Sequence, residues 1–373
     1  ALAKGASRCA IASCTVRRVR ILLVKTSSMG DVIHNLPVVG DIHRHDSAAQ
    51  IDWVVEETFS DIPALHPGVR RVIRAANRRW RKSWFSSRTL REFRAFKTEL
   101  QSERYDSILD TQGLLKSALI ARLARGKRCG YSASSAREPL SSRFYDATFD
   151  VAKDKHAVER NRALAGAALG YIPWADVDYG IRVFSPYPRP LPLRSSSGQA
   201  PGEREHHSST ASSPIAHSLP RGETEQQELA KQRYAVLLHA TSRASKEWDE
   251  ASWIALGQFL NTREIEVLLP WGSEAERIRS ERLKMKLMHA FVPARMSLGK
   301  LTKLFAGAQI VIGADTGLTH LAAALGRPTI GIYRGSDPRL TGLYGSEKAV
   351  NLGEPGRAPS VPEVIAEAER FLV

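Results

Sequence analysis

The sequence predicts an α/β fold of two Rossmann-like, doubly wound parallel-sheet domains that face each other across a cleft. Three observations predict it. Strand-like and helix-like runs alternate through short Gly or Pro connections, the alternation occurs twice, and a stretch of different composition separates the two series. At 373 residues and 43% apolar content, the chain has material for two cores.

In the first series Arg20–Lys25, Ile51–Val55 and Ser107–Asp110 read as strands, and Asp31–His43, Leu114–Ala124 and Ala157–Leu169 as helices. In the second, the strands are Ala235–His239, Glu266–Leu269, Val311–Gly313 and Thr329–Tyr333. Its helices are Ser252–Asn261, Glu274–Met285, Leu298–Ala306 and Leu318–Leu325. From Tyr187 to Gln232, Pro, Ser, Gly, His and Glu replace apolar residues, so this stretch reads as a disordered linker or insertion. The expected division is a disordered extension over 1–17, domains over 18–186 and 233–373, and the linker over 187–232. No short internal repeat is evident.

No run approaches the roughly 20 apolar residues that cross a bilayer, and a soluble protein is expected. Cys9, Cys14 and Cys129 lack metal-ligand spacing, which fits a reducing cytoplasm without structural zinc. Net charge is +15, and between Arg70 and Arg104 twelve Lys and Arg stand against three Glu. Such a segment concentrates an anionic partner: nucleic acid, an anionic membrane or an acidic glycolipid.

Ligands of doubly wound sheets bind beyond the carboxyl ends of the strands, so the loops there carry the chemistry. The first is Lys25-Thr26-Ser27-Ser28-Met29-Gly30-Asp31, a strand-to-helix turn whose N–H groups could hold an anion or a sugar hydroxyl. Asp31 there is either a cleft-facing carboxylate or a helix cap. The second is Gly313-Ala314-Asp315-Thr316-Gly317-Leu318-Thr319-His320, whose helix N-terminus suits a phosphate and whose Gly317 would let a ligand approach backbone. Asp315 as an ordinary N-cap is the alternative. Neither a dinucleotide GxGxxG nor a P-loop Lys is present, which argues against a dehydrogenase and a P-loop ATPase. The third loop, His239 to Trp248, offers Lys246 or Arg243 to a leaving diphosphate. Beyond the next strand, Glu276 could accept ribose hydroxyls or could be a plain surface carboxylate.

The blocks KTSSMGDVIHNLP, DWVVEE, RRWRKSWFS, DTQGLLKSAL, AREPLSS, HAVER, LPWG and DTGLTHLAAAL resemble, in order, those of the bacterial heptosyltransferases of lipopolysaccharide core assembly, which have the GT-B fold. The similarity covers roughly Val19 to Tyr187 and Tyr234 to Val373. RRWRK and SSMGD favour the branch that adds the first heptose. The resemblance implies an ADP-L-glycero-β-D-manno-heptose donor held by the second domain and a Kdo-lipid A acceptor held by the first. It implies Asp31 as catalytic base, and Thr241, Ser242, Lys246, Glu276, Asp315, Thr316, Gly317 and His320 as donor-binding residues. Ser28, Arg78, Arg79, Arg81, Lys82 and Arg137 would bind the acceptor, whose phosphates and carboxylates suit bidentate Arg. No cofactor and no metal are expected, there being no Asp-x-Asp pair placed for a metal-bound diphosphate. The enzyme would work at the cytoplasmic face of the inner membrane, in peripheral contact with its anionic surface. Two other readings are a glycosyltransferase with a different donor or acceptor, and a protein using RRWRKSWF on nucleic acid. The latter leaves Asp31 and DTGLTH without a purpose, so no nucleic-acid partner is expected.

Overall fold

The structure, a computed structural model, describes residues 18–83, 85–181, 233–241 and 243–372. The extension expected over 1–17 and the linker expected over 187–232 lie outside the described residues.

Two six-stranded sheets form the architecture. The first contains β1 (Arg20–Val24), β2 (Gln50–Glu56), β3 (Val69–Ala75), β4 (Arg104–Asp110), β5 (Arg125–Tyr131) and β6 (Ala147–Phe149) in the order β3-β2-β1-β4-β5-β6. The second contains β7 (Tyr234–Leu238), β8 (Glu266–Leu268), β9 (Ala290–Phe291), β10 (Ile310–Ala314), β11 (Thr329–Ile332) and β12 (Ala349–Leu352) in the order β12-β11-β10-β7-β8-β9. Every pairing is parallel. Counted within its own sheet, each order is 3-2-1-4-5-6, the Rossmann order. The order therefore reverses between β1 and β4 in one sheet and between β7 and β10 in the other, which defines two crevices.

The central strands are apolar because helices cover both faces. Ile21 to Val24 and Ile310 to Val311 and Ile312 are buried, each such side chain stabilising by about 1.5–3 kcal/mol. One apolar cluster runs from Leu23, Trp53 and Ile33 of the first domain to Val236, Leu304 and Phe305 of the second, so the domains share packed surface beside the cleft. Arg162, in the helix Ala157–Leu169, makes a buried bidentate pair with Asp41 of the helix Leu36–His45 at 2.6 and 2.9 Å. Breaking such a pair from one side leaves a buried charge and costs about 3–5 kcal/mol. It fixes the helix that carries His156, Arg160 and Asn161 beneath the first crevice.

The helix expected over Asp31–His43 is two helices, Met29–Ile33 and Leu36–His45. Pro37 is the reason: without an N–H it suits the start of a helix and not its middle. The break exposes the His34 carbonyl, which accepts from Asn161 Nδ2 at 3.2 Å. The pattern also missed β3, β5, β6, β9 and β12, and the helices Ser87–Leu100 and Val361–Leu372. In Val69–Ala75, at a sheet edge, Arg70, Arg71 and Arg74 interrupt the apolar residues, and in Arg125–Tyr131 only the last three residues are buried.

Candidate active site at the two crevices

At the first crevice the chain leaves β1 and turns at Ser28 into Met29–Ile33. Asp31 lies in the first turn of that helix, and its Oδ2 accepts from the Ser28 N–H at 2.9 Å and the Ser28 hydroxyl at 3.0 Å. Its Oδ1 accepts from Arg137 Nη2 at 2.7 Å. Asp31 is thus both a cap and a charged group in the crevice, which joins the two readings its sequence position left open. Burial alone would raise its pKa, but Lys25, Arg137 and the Ser28 N–H outweigh burial and hold the carboxyl well below the usual range. Lys25 is itself buried and lowered to about 8 by that burial; its Nζ donates to Thr111 O at 2.8 Å and Asn161 Oδ1 at 3.2 Å.

Thr111 and Gln112 follow β4, the strand across the switch point from β1. Gln112 Oε1 accepts from the Thr26 N–H at 2.7 Å, and its Nε2 donates to Ser27 O at 2.8 Å, which ties the two loops together. Lys116 reaches Ser27 Oγ at 2.8 Å. Burial lowers its pKa, with Glu56, Arg78 and Asp31 among the charges around it. The block containing Thr111, Gln112 and Lys116 carries no local signal that gives these three residues a role. The strand-order rule finds them once β4 is known to neighbour β1.

The RRWRK block follows β3 on the same edge. Arg78 and Arg81 are exposed, as is Lys82, and Arg78 lies over the Phe59 ring at 5.1 Å. Arg79 is held internally, bidentate to Glu57 at 3.0 Å and also on Glu92 at 2.5 Å. Arg70 and Arg71 both pair with fully buried Asp52. The basic segment is therefore less free than its local charge suggested, because Asp52 and Glu57 lie outside it in sequence and against it in space.

At the second crevice Asp315 opens the turn between β10 and the helix Gly317–Ala324. Its Oδ2 accepts from Lys246 Nζ at 2.5 Å and from the Ser336 hydroxyl, and its Oδ1 lies 3.4 Å from His320 Nε2. Burial works against ionisation, yet the hydrogen bonds from His320, Lys246 and Ser336 hold its pKa well below the ordinary value. Thr316 caps the helix Gly317–Ala324 without a side-chain bond to the helix backbone, its hydroxyl lying 3.3 Å from that of Thr319. The Thr241 hydroxyl, in the loop that follows β7, is buried without a partner in the protein. Such an orphan is rare unless a ligand or water completes it. Ser242 lies outside the described residues. Glu276 bends back to its own loop, with Oε2 accepting from the Gly272 N–H at 2.7 Å.

The crevices meet directly. His34 Nε2 and His320 Nδ1 are 3.3 Å apart, and a Cβ on Gly30 would lie 3.3 Å from the His320 ring. The space beside Gly317, expected for a ligand, is filled by Met29: a Cβ there would lie 2.5 Å from the Met29 Cβ. Among the described residues no group of three or more His, Cys, Asp or Glu is arranged to hold a metal ion.

The pattern of glycosyltransferase family 9 (heptosyltransferase) matches residues 93–185 and 196–367. The chain belongs to this family. Lipopolysaccharide heptosyltransferase 1 of Escherichia coli K12 is 41% identical over 89% of this chain and 92% of its own length. The Pseudomonas aeruginosa PAO1 protein of the same name is 42% identical over 90% of this chain and 83% of its own. The solved E. coli heptosyltransferase WaaC with ADP superposes with a TM-score of 0.78 at 37% identity, covering 95% of this chain and all of that one. The WaaC structure with ADP-2-deoxy-2-fluoro heptose gives 0.74 at the same identity, covering 95% of this chain and 99% of that one. This family-9 chain therefore has the two-domain GT-B architecture that its sequence predicts, with Asp31 at one switch point and Lys246, Asp315 and His320 at the other.

Proposed function

We propose that this chain transfers L-glycero-D-manno-heptose from ADP-heptose to the Kdo sugar of Kdo-lipid A in lipopolysaccharide inner-core assembly. One observation carries the reading: a carboxylate flanked by cations in one crevice meets, across the His34–His320 contact, a second crevice in which Lys246 is held on Asp315 beside an orphan hydroxyl. An acceptor and a nucleotide-sugar need such unlike halves. The relatives named above supply the donor and the pathway.

In this mechanism the acceptor hydroxyl attacks the anomeric carbon as its proton passes to Asp31, and the bond to ADP breaks on the opposite face. The β-configured donor gives an α linkage. Ser28 orients the carboxylate. Lys246 and the first turn of Gly317–Ala324 meet the charge of the departing diphosphate, together worth several kcal/mol where such groups are preorganised. Thr241 and Glu276 hold the nucleotide. Arg78, Arg81, Lys82 and Arg137 bind the acceptor anions, and Arg79 fixes the block that presents them. No described helix is long and apolar enough to cross a membrane. We place the enzyme on the cytoplasmic face of the inner membrane, the exposed basic residues facing its anionic surface.

Purified protein supplied with ADP-heptose and Kdo-lipid A should yield a product heavier by one heptose, read by mass spectrometry. Transfer is expected to persist in EDTA. Absence of product with both substrates present, or product formed only with another nucleotide sugar, would reject the assignment.

A further inference from the structure

We propose that His34, a residue of the first domain, is a positioning residue for the donor site of the second, its ring N–H fixing the tautomer and orientation of His320. The inference rests on the donor assignment above. His34 closes the short helix Met29–Ile33 and is buried, anchored through its carbonyl by Asn161. Its Nε2 lies 3.3 Å from His320 Nδ1, while His320 Nε2 lies 3.4 Å from Asp315 Oδ1. Ionised Asp315 can only accept, so His320 donates through Nε2. In a singly protonated ring the other nitrogen then accepts, and His34 Nε2–H is the donor that faces it. Burial holds the His34 pKa well below its ordinary value, which keeps His34 a neutral donor.

The chain of bonds runs from His34 through His320 to Asp315, whose other oxygen takes Lys246 and Ser336. Without His34 the His320 ring is free to turn, and the Asp315 oxygen that faces it loses a fixed donor. Gly30 makes the approach possible, since any side chain there would press on the His320 ring. A group on the acceptor side thereby sets the shape of the nucleotide side, and does so only when the domains are together.

The test is ADP affinity by calorimetry. His34→Leu should weaken ADP binding about three- to tenfold, the range of one neutral hydrogen bond, while His34→Gln, whose amide N–H can stand near Nε2, should stay within about twofold. In a His320→Ala background, His34→Leu should add nothing, because the two changes remove one interaction. Unchanged ADP affinity in His34→Leu overturns the proposal. Equal weakening by Leu and Gln, or a full additional loss on top of His320→Ala, overturns it as well, since either shows space-filling and not donation. If His34→Leu does not fold, His34→Asn, whose amide is too short to reach His320, replaces it with the same outcomes. Wild-type protein that fails to bind ADP would defeat the donor assignment instead.

Discussion

Each crevice holds an aspartate paired with one cation, yet the two pairs differ in reach. Arg137, the partner of Asp31, is 43% exposed, whereas Lys246, the partner of Asp315, is 19% exposed, and Ser336 and His320 also donate to that carboxylate. Both carboxylates are held below the usual pKa, Asp31 by surrounding charge and Asp315 chiefly by hydrogen bonds. A pair that solvent can reach can exchange partners with an incoming anion. One enclosed by three donors is a frame. In the proposed mechanism the reachable Asp31 does the chemistry and the enclosed Asp315 holds the groups that bind the donor, although the sequence presents both simply as an acidic residue in a strand-to-helix turn.

The largest effect is expected at Asp31. Asp31→Asn keeps the shape and the acceptor for Ser28 but removes the basicity, so turnover should fall about 10²- to 10⁴-fold with ADP affinity nearly unchanged. Near-normal turnover in stopped or continuous assays would make Asp31 a cap alone and erase the contrast. Lys246→Ala should do the reverse. Loss of a charge-assisted hydrogen bond of about 1.5–3 kcal/mol weakens ADP binding roughly 10- to 100-fold, while acceptor affinity holds.

Arg137 sharpens the comparison through pH. Its positive charge favours ionised Asp31, so Arg137→Gln should move the acid limb of kcat/KM upward by at least about one unit. The wild-type limb should lie below the ordinary carboxylate range, and a limb that does not move would show that Arg137 leaves Asp31 untouched. Stability follows the same sign. A carboxylate with a depressed folded pKa contributes fully above its unfolded value of about 4, and that contribution is lost as pH falls toward the folded value. Acid unfolding of Asp31→Asn and Asp315→Asn should each be less steep below pH about 4 than that of wild type.

The smallest effect belongs to the exposed block. Arg78→Ala with Arg81→Ala should raise KM for the acceptor several-fold, more at low salt than at about 0.5 M, because exposed charges are screened. ADP binding should not change, and an equal loss for both ligands would remove the division of labour between the domains.

Much of this was legible along the chain. Alternating runs gave the two sheets, since apolar strands covered by helices must be continuous in sequence. The loops that hold Asp31, Asp315 and Lys246 could be found because a strand-to-helix turn is local. Arg125–Tyr131 was not legible as a strand, because its pairing with β4 and β6 comes from backbone and leaves little apolar pattern. The sequence could not show that Arg79 would be taken by Glu57 and Glu92, or that Met29 would fill the space at Gly317. Residue type and local period determine which segments form strands and helices and which loops bear charge. Which carboxylate meets which cation is decided by groups that lie 106 positions apart in the Asp31–Arg137 pair and 69 in the Lys246–Asp315 pair, and only the folded sheets bring them within hydrogen-bond distance.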